Sequence, residues 1–119
     1  MPTKPPDDDR VALLQGTLDL LILKILVLGA YHGQGIARAI QQRSDEVFFV
    51  DHGSLYLALQ RLEDKGWIGA KWGVSENNRR ARFYSLTAKG RAQLLAKTSQ
   101  WRRLARAIGQ ILGPEEQEG

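Results

Sequence analysis

Between Leu18 and Leu28 the chain is apolar on almost every side, interrupted only by Asp19 and Lys24. The run predicts a helix covered on more than one side, with Thr17 as its N-cap, Asp19 in the positive first turn and Gly29 as its stop. It falls well short of the roughly 20 residues a membrane span needs. A second helix, about Gly35 to Arg43, places Ile36, Ala37 and Ile40 on one face and turns Arg38, Gln41 and Gln42 outward. The glycine-bearing connection from Ala30 to Gln34 is short enough for a tight helix-to-helix turn. Phe48, Phe49 and Val50 are too few for a helix and read as a small strand. In a third helix Leu55, Leu59 and Leu62 recur at i, i+4 and i+7 as a buried stripe. Asp51 stands at its N-cap with Ser54 three residues on, and Gly66 closes it.

At Ile68 the period changes to two. Ile68, Ala70, Trp72 and Val74 alternate with Gly69, Lys71 and Gly73; Ser75 to Arg80 forms a tip, and Ala81 to Leu86 returns. Thr87 then caps a long helix that reaches about Leu112, before Gly113-Pro114. Leu94, Trp101 and Ile108 are seven apart along it, and Leu104 and Ile111 fill the position three residues after two of them. Such a seam needs a partner helix. The elements predict a mainly α fold with a small β-hairpin: a winged helix-turn-helix DNA-binding domain over 11–86 and a C-terminal dimerisation helix over 87–112. Residues 1–10 read as a disordered, proline-rich N-terminal arm and 113–119 as an acidic tail.

A chain of 119 residues with an ordinary apolar share holds one small core. The absence of cysteine excludes disulfides and thiolate metal sites and fits a cytoplasmic setting. Met1 to Arg10 lacks the basic start and apolar centre of a secretory signal. Net charge is only +4, but residues 61–106 hold twelve Lys or Arg against three acids, whereas residues 1–60 hold five against seven. The positive charge thus gathers on the hairpin and the last helix, as an electrostatic footprint for nucleic acid requires. A solvated basic helix face would account for part of the same excess.

On the third helix Ser54, Leu57, Gln60, Arg61 and Asp64 face outward, with Tyr56 at the flank. Ser, Gln and Arg can bond base edges, Tyr can bond a phosphate oxygen, and the helix N-terminus attracts phosphate; an ordinary surface helix would show the same polarity. The hairpin tip is more distinctive. Asn77-Asn78-Arg79-Arg80, followed by Arg82, puts three guanidinium groups and two amides within six residues. Guanidinium pairs bidentately with phosphate and enters narrow minor grooves, and a merely soluble hairpin does not need three arginines at one end. Asp51-His52-Gly53-Ser54 contains the residue types of a hydrolase triad, but neighbours within one turn cannot align nucleophile, base and acid, and capping explains Asp51 and Ser54. Two histidines, His32 and His52, without HExxH spacing make no metal site, and no glycine-rich loop has the spacing of a nucleotide cradle. Neither a catalytic residue nor a cofactor is expected. The heptad face of the last helix is expected to pack on the same helix, or on the first helix, of a second copy. Trp101 either fills that interface or lines a flat apolar slot for a planar ligand.

The segment Gly53-Ser54-Leu55-Tyr56, with Leu59, Leu62-Glu63, Gly66 and Ile68, resembles the PadR family of bacterial transcriptional regulators. So do Asn77-Asn78-Arg79-Arg80-Ala81-Arg82-Phe83-Tyr84 with Leu86-Thr87 and Gly90, Gly16-Thr17-Leu18-Asp19-Leu20-Leu21, and His32-Gly33 with Gly35-Ile36. The resemblance covers about residues 13–95. It implies a dimeric winged-helix repressor on pseudo-palindromic operators near its own and neighbouring promoters, released in some members by phenolic or other aromatic compounds. A single helix beyond the wing resembles the short subgroup. In some of its members a tryptophan of that helix lines a multidrug pocket between subunits, and Trp101 falls in the comparable place. Leu57 departs from a common proline, Gln60 from a frequent histidine and Gln34 from a common aromatic, so an operator sequence does not carry over from relatives.

The expectation is a sequence-specific, homodimeric DNA-binding regulator. Ser54, Tyr56, Leu57, Gln60 and Arg61 would contact double-stranded DNA through the helix, and Lys71, Asn78, Arg79, Arg80 and Arg82 through the wing. Leu94, Trp101, Leu104, Ile108 and Ile111 would form the dimer, with an aromatic small molecule at Trp101 and no membrane partner. The competing reading is a winged-helix protein-interaction module that docks through its last helix and does not touch DNA.

Overall fold

The computed structural model describes residues 11–12 and 15–114. The expected N-terminal arm, and all of the acidic tail beyond Pro114, lie outside the described residues. In chain order the elements are β1 (Val11–Ala12), α1 (Gln15–Ile25), a 3-10 turn (Leu26–Leu28), β2 (Tyr31–His32), α2 (Gly33–Arg43) and β3 (Phe48–Phe49), then α3 (His52–Asp64), β4 (Ile68–Val74), β5 (Arg80–Leu86) and α4 (Ala88–Leu112). Strands β2, β5 and β4 form an antiparallel sheet in that order, and β1 lies parallel to β3. This is the winged helix-turn-helix that the hydrophobic pattern predicts, with β4 and β5 as the wing.

Three local expectations change. Helix α1 begins at Gln15, so Thr17 lies within it and Asp19 sits beyond its first turn. Helix α2 begins at Gly33, two residues early, because His32 caps it: the ring Nδ1 accepts the Gly35 N–H at 3.1 Å. Strands β1 and β2 are unforeseen, since two residues are too few to display an alternation.

The core shows why α1 is apolar all round. It packs on α2, α3 and α4 at once, contributing Leu18, Ile22, Leu23 and Ile25, with Leu26 from the 3-10 turn that follows, to a cluster with Ile36, Ile40, Leu55, Ala58, Leu59, Leu62, Trp67, Ile68, Tyr84 and Leu94. Leu94 is therefore a correction to the heptad seam. It lies on the first turns of α4, where that helix still crosses α1, and its side chain is consumed by the chain's own core.

The end of α3 and the start of α4 are tied together. Gly66, at φ 78°, closes α3 with Gly66 N–H to the Glu63 carbonyl (2.9 Å) and Trp67 N–H to the Leu62 carbonyl (3.0 Å). Thr87 Oγ1 accepts the Gly90 N–H at 3.0 Å and donates to the Gly66 carbonyl at 2.7 Å, while Thr87 N–H reaches the Trp67 carbonyl at 3.1 Å. Gly90 is pressed so closely on the Trp67 carbonyl that a Cβ there would overlap it. The base of the wing is thereby anchored to the C-terminus of α3.

Candidate nucleic-acid interface

Helix α3 is presented by its stripe. Leu55, Ala58, Leu59 and Leu62 are buried, which leaves Ser54, Tyr56, Leu57, Gln60 and Asp64 exposed on the other side. Asp51 starts the helix, its Oδ1 accepting the Gly53 N–H at 3.1 Å. A hydrogen bond from the Ser54 side chain, then the N–H groups of Gly53 and Ser54 and the neighbouring His52, hold the Asp51 carboxyl below its usual value against a smaller opposing effect of desolvation. Tyr56 lies over the first residue of α2, where a Cβ on Gly33 would come within 2.7 Å of the phenol Cζ, and its ring stacks on His52 at 6.3 Å. The absence of a side chain at Gly33 is what lets Tyr56 bridge the two helices of the helix-turn-helix.

Arg61 does not join this exposed set. Its Nη2 pairs with Asp19 Oδ1 of α1 at 2.8 Å, the carboxylate side chain being only 8% exposed. The guanidinium is engaged on the α1 side of α3, so Arg61, expected among the base-contacting residues, is placed apart from the fully exposed set. Asp19 is correspondingly an internal anchor rather than a partner for the helix dipole.

The two faces of the wing differ. Ile68, Ala70, Trp72 and Val74 lie opposite Leu86, Tyr84, Arg82 and Arg80, so these eight share one face. Its base joins the core; its outer half, Trp72, Arg80 and Arg82, looks across a cleft of about 1030 Å³ at Tyr56, Gln60, Glu63 and Asp64 of α3. Lys71 stands opposite Phe83 on the other face and is absent from the cleft lining, so the strand register separates it from Arg80 and Arg82, with which sequence reasoning groups it. Arg82 Nη2 pairs with Glu63 Oε2 at 2.9 Å, and its guanidinium carbon lies 5.8 Å from the Tyr84 ring. Burial in turn raises the Tyr84 phenol above its usual value. Arg80 instead lies over the Trp72 ring, 4.7 Å from its centroid. At the tip, Asn78 N–H bonds the Ser75 carbonyl (2.9 Å) and Ser75 N–H the Arg79 carbonyl (2.8 Å); Asn78 takes the left-handed conformation at φ 61°, which asparagine tolerates well. Arg79 is exposed beside it.

Four contributors escape sequence reasoning. His32 Nε2 meets Glu76 Oε1 at 3.3 Å, and Arg38 Nη1 lies 3.8 Å from Glu76 Oε2. The wing tip is thus fastened to the start of α2. Since Nδ1 accepts the Gly35 N–H, the neutral ring carries its hydrogen on Nε2 and donates it to Glu76. Local backbone hydrogen bonding at Glu76 itself, the His32 hydrogen bond and the charge of Arg38 hold the Glu76 carboxyl below its usual value. Trp72 is the fourth: its alternation marks a strand, but nothing in the spacing shows which face the indole takes.

Beyond the core, α4 exposes Trp101, Leu104, Ile108 and Ile111 along one side, with Leu112 at the end. No helix among the described residues is long and apolar enough to cross a membrane.

Comparison with known proteins agrees with this architecture. The chain is 29% identical over 92 residues to an uncharacterized protein of Lysinibacillus sphaericus, covering 77% of this chain and 84% of that one. A transcriptional regulator from Clostridium thermocellum superimposes with a TM-score of 0.76 at 28% identity, covering 83% of this chain and 96% of the other. A PadR family transcription regulator from Clostridium difficile gives 0.70 at 34% identity, with 81% and 98% covered. The profile of the transcriptional regulator PadR-like family matches residues 22–96, spanning both the helix-turn-helix and the wing. The chain therefore belongs to the PadR-like family, whose members are regulators of transcription rather than enzymes.

Proposed function

We propose that this regulator acts in the cytoplasm as a homodimeric repressor on double-stranded DNA, with α3 in the major groove and the β4–β5 wing on the flanking backbone or minor groove. The observation that carries the reading is the cleft between them. Tyr56 and Gln60 of the exposed helix face and Asn77, Arg79 and Arg80 of the wing line one open channel, and Ser54 and Leu57 are exposed on the same helix. Base-bonding groups lie on the rod and phosphate-bonding groups on the ribbon, the division of labour that winged helices use. The stripe of Trp101, Leu104, Ile108 and Ile111 supplies a surface for a second copy, because four large apolar side chains on one side of an isolated helix are otherwise left in water. Two copies would read pseudo-palindromic half-sites roughly 34 to 36 Å apart. Trp101, about half exposed, offers an aromatic effector a flat face at the same stripe. Titration of the purified protein against a duplex carrying its own promoter, followed by fluorescence anisotropy, tests the reading. Saturable binding that exceeds binding to a scrambled duplex supports it, and no binding leaves a protein-interaction module.

A further inference from the structure

The two cleft-facing arginines of the wing have separate fates. Arg82 is neutralised by Glu63. Arg80 forms no ion pair among the described residues and rests on Trp72, whose indole is 61% exposed although it lies on the face of the sheet that turns into the core at its base. Val74, directly opposite Arg80, is 63% exposed as well. An indole and an isopropyl group are thus left largely in water beside a cation whose contact here is the indole face.

We propose that Trp72 is a positioning residue for DNA binding: its ring serves as a platform that holds the Arg80 guanidinium in the cleft, with the N–H edge directed away from the ring and available to a backbone phosphate. The inference rests on the DNA-binding reading above and adds to it the residue on which the wing contact depends. The physical basis is twofold. A cation over an indole face is attracted by the ring quadrupole, and the planar ion keeps its in-plane N–H groups available for bidentate pairing when its face is occupied. The platform restricts a long side chain before the phosphate arrives, which lowers the ordering cost of the contact. Among the described residues no ring lies beneath Arg79, which sits in the turn itself.

The test is a double-mutant cycle on duplex affinity with Trp72→Ala, Arg80→Ala, their combination and Trp72→Phe, each checked for an unchanged circular dichroism spectrum and melting temperature. Trp72→Ala is expected to weaken binding about threefold, in keeping with an exposed cation–aromatic contact. The double variant is expected to bind within about twofold of Arg80→Ala alone, since the platform has no purpose once its guanidinium is gone. Trp72→Phe should recover most of the affinity. Losses that simply multiply in the double variant, or a Trp72→Ala protein that binds like the wild type, would overturn the platform while leaving DNA binding intact. Failure of the wild-type protein to bind any duplex would instead overturn the DNA-binding reading, and the platform with it.

Discussion

Asp19 on α1 and Arg61 on α3 form a 2.8 Å ion pair between residues 42 positions apart, with the carboxylate almost fully buried and the guanidinium partly covered. The pair fixes the rotation of α3 about its own axis, because it joins the edge of the leucine stripe to the helix beneath. Arg61 Nε is buried without a hydrogen-bond partner among the described residues, so the guanidinium relies on Asp19 for compensation.

Asp19→Ala should therefore destabilise the protein by about 2 kcal/mol, below the full cost of orphaning a buried charge because Arg61 retains some solvent. Urea unfolding measures it. Asp19→Ala combined with Arg61→Met should be less destabilised than Asp19→Ala alone, since no charge is then stranded. If the double variant is the weaker protein, the pair contributes through packing rather than charge.

Gly90 has no room to change. An alanine there would drive its Cβ into the Trp67 carbonyl and against Leu86 Cδ1, parting the junction that holds the wing to α3. Gly90→Ala is expected to cost about 2 kcal/mol or more, as overpacking against backbone does, and to lower the melting temperature by several degrees. Gly33→Ala meets only the end of the Tyr56 side chain, which can swing aside. That variant should keep most of its stability while weakening DNA binding, and thermal melts set beside anisotropy titrations separate the two effects.

The parts of this fold that were legible in the sequence are those encoded by period and by local caps. Leu55, Leu59 and Leu62 define α3, the alternation from Ile68 defines the wing, and Thr87 and Gly66 mark boundaries that the hydrogen bonds reproduce. What escaped depends on pairings distant in sequence. Asp19 reads as a first-turn acid until α3 brings Arg61 to it. His32 and Glu76, 44 residues apart, meet only once β2 joins the sheet beside β5. Leu94 shares the heptad spacing of Trp101 and Ile108, yet spacing cannot tell which part of a long helix leaves its own core. The direction of Lys71 follows from register, which is set by the Lys71–Phe83 pairing and not by composition.

Acid should loosen the reading surface before it unfolds the core. The Asp51 and Glu76 carboxyls both lie below their ordinary values of 3.8 and 4.5. A depressed folded-state value means that each contributes stability above its unfolded value and loses it as pH falls through the folded one. The difference in melting temperature between wild type and Glu76→Gln should thus shrink as pH is lowered from about 6 to about 3. A difference independent of pH would show that the Glu76 charge does not hold the wing tip.

The exposed stripe of α4 gives an assembly prediction. Leu104→Glu with Ile108→Glu should yield a folded monomer, because two carboxylates at the centre of an apolar seam cannot be desolvated together. Sedimentation velocity reports the mass. Affinity for a duplex with two half-sites should fall more than about tenfold, while that for a single half-site stays near its wild-type value, as expected when linked sites lose their effective concentration. Unchanged mass would place the dimer surface elsewhere.

The wing arginines are separable by salt. Each phosphate contact contributes roughly 0.9 to the slope of log affinity against log salt concentration, so Arg79→Ala with Arg80→Ala should flatten that slope by about 2 on every sequence tried. Arg82→Ala should flatten it less and lower stability instead, because it frees the Glu63 carboxylate that now faces Arg82 at 2.9 Å. Lys71→Ala should leave the slope unchanged, since its strand position turns it away from the cleft. Equal slopes for all three proteins would remove the cleft-facing side of the wing from the contact. A flattening that is largest for the Arg79 and Arg80 pair, smaller for Arg82 and absent for Lys71 would follow from the register of β4 against β5 together with the Arg82–Glu63 ion pair.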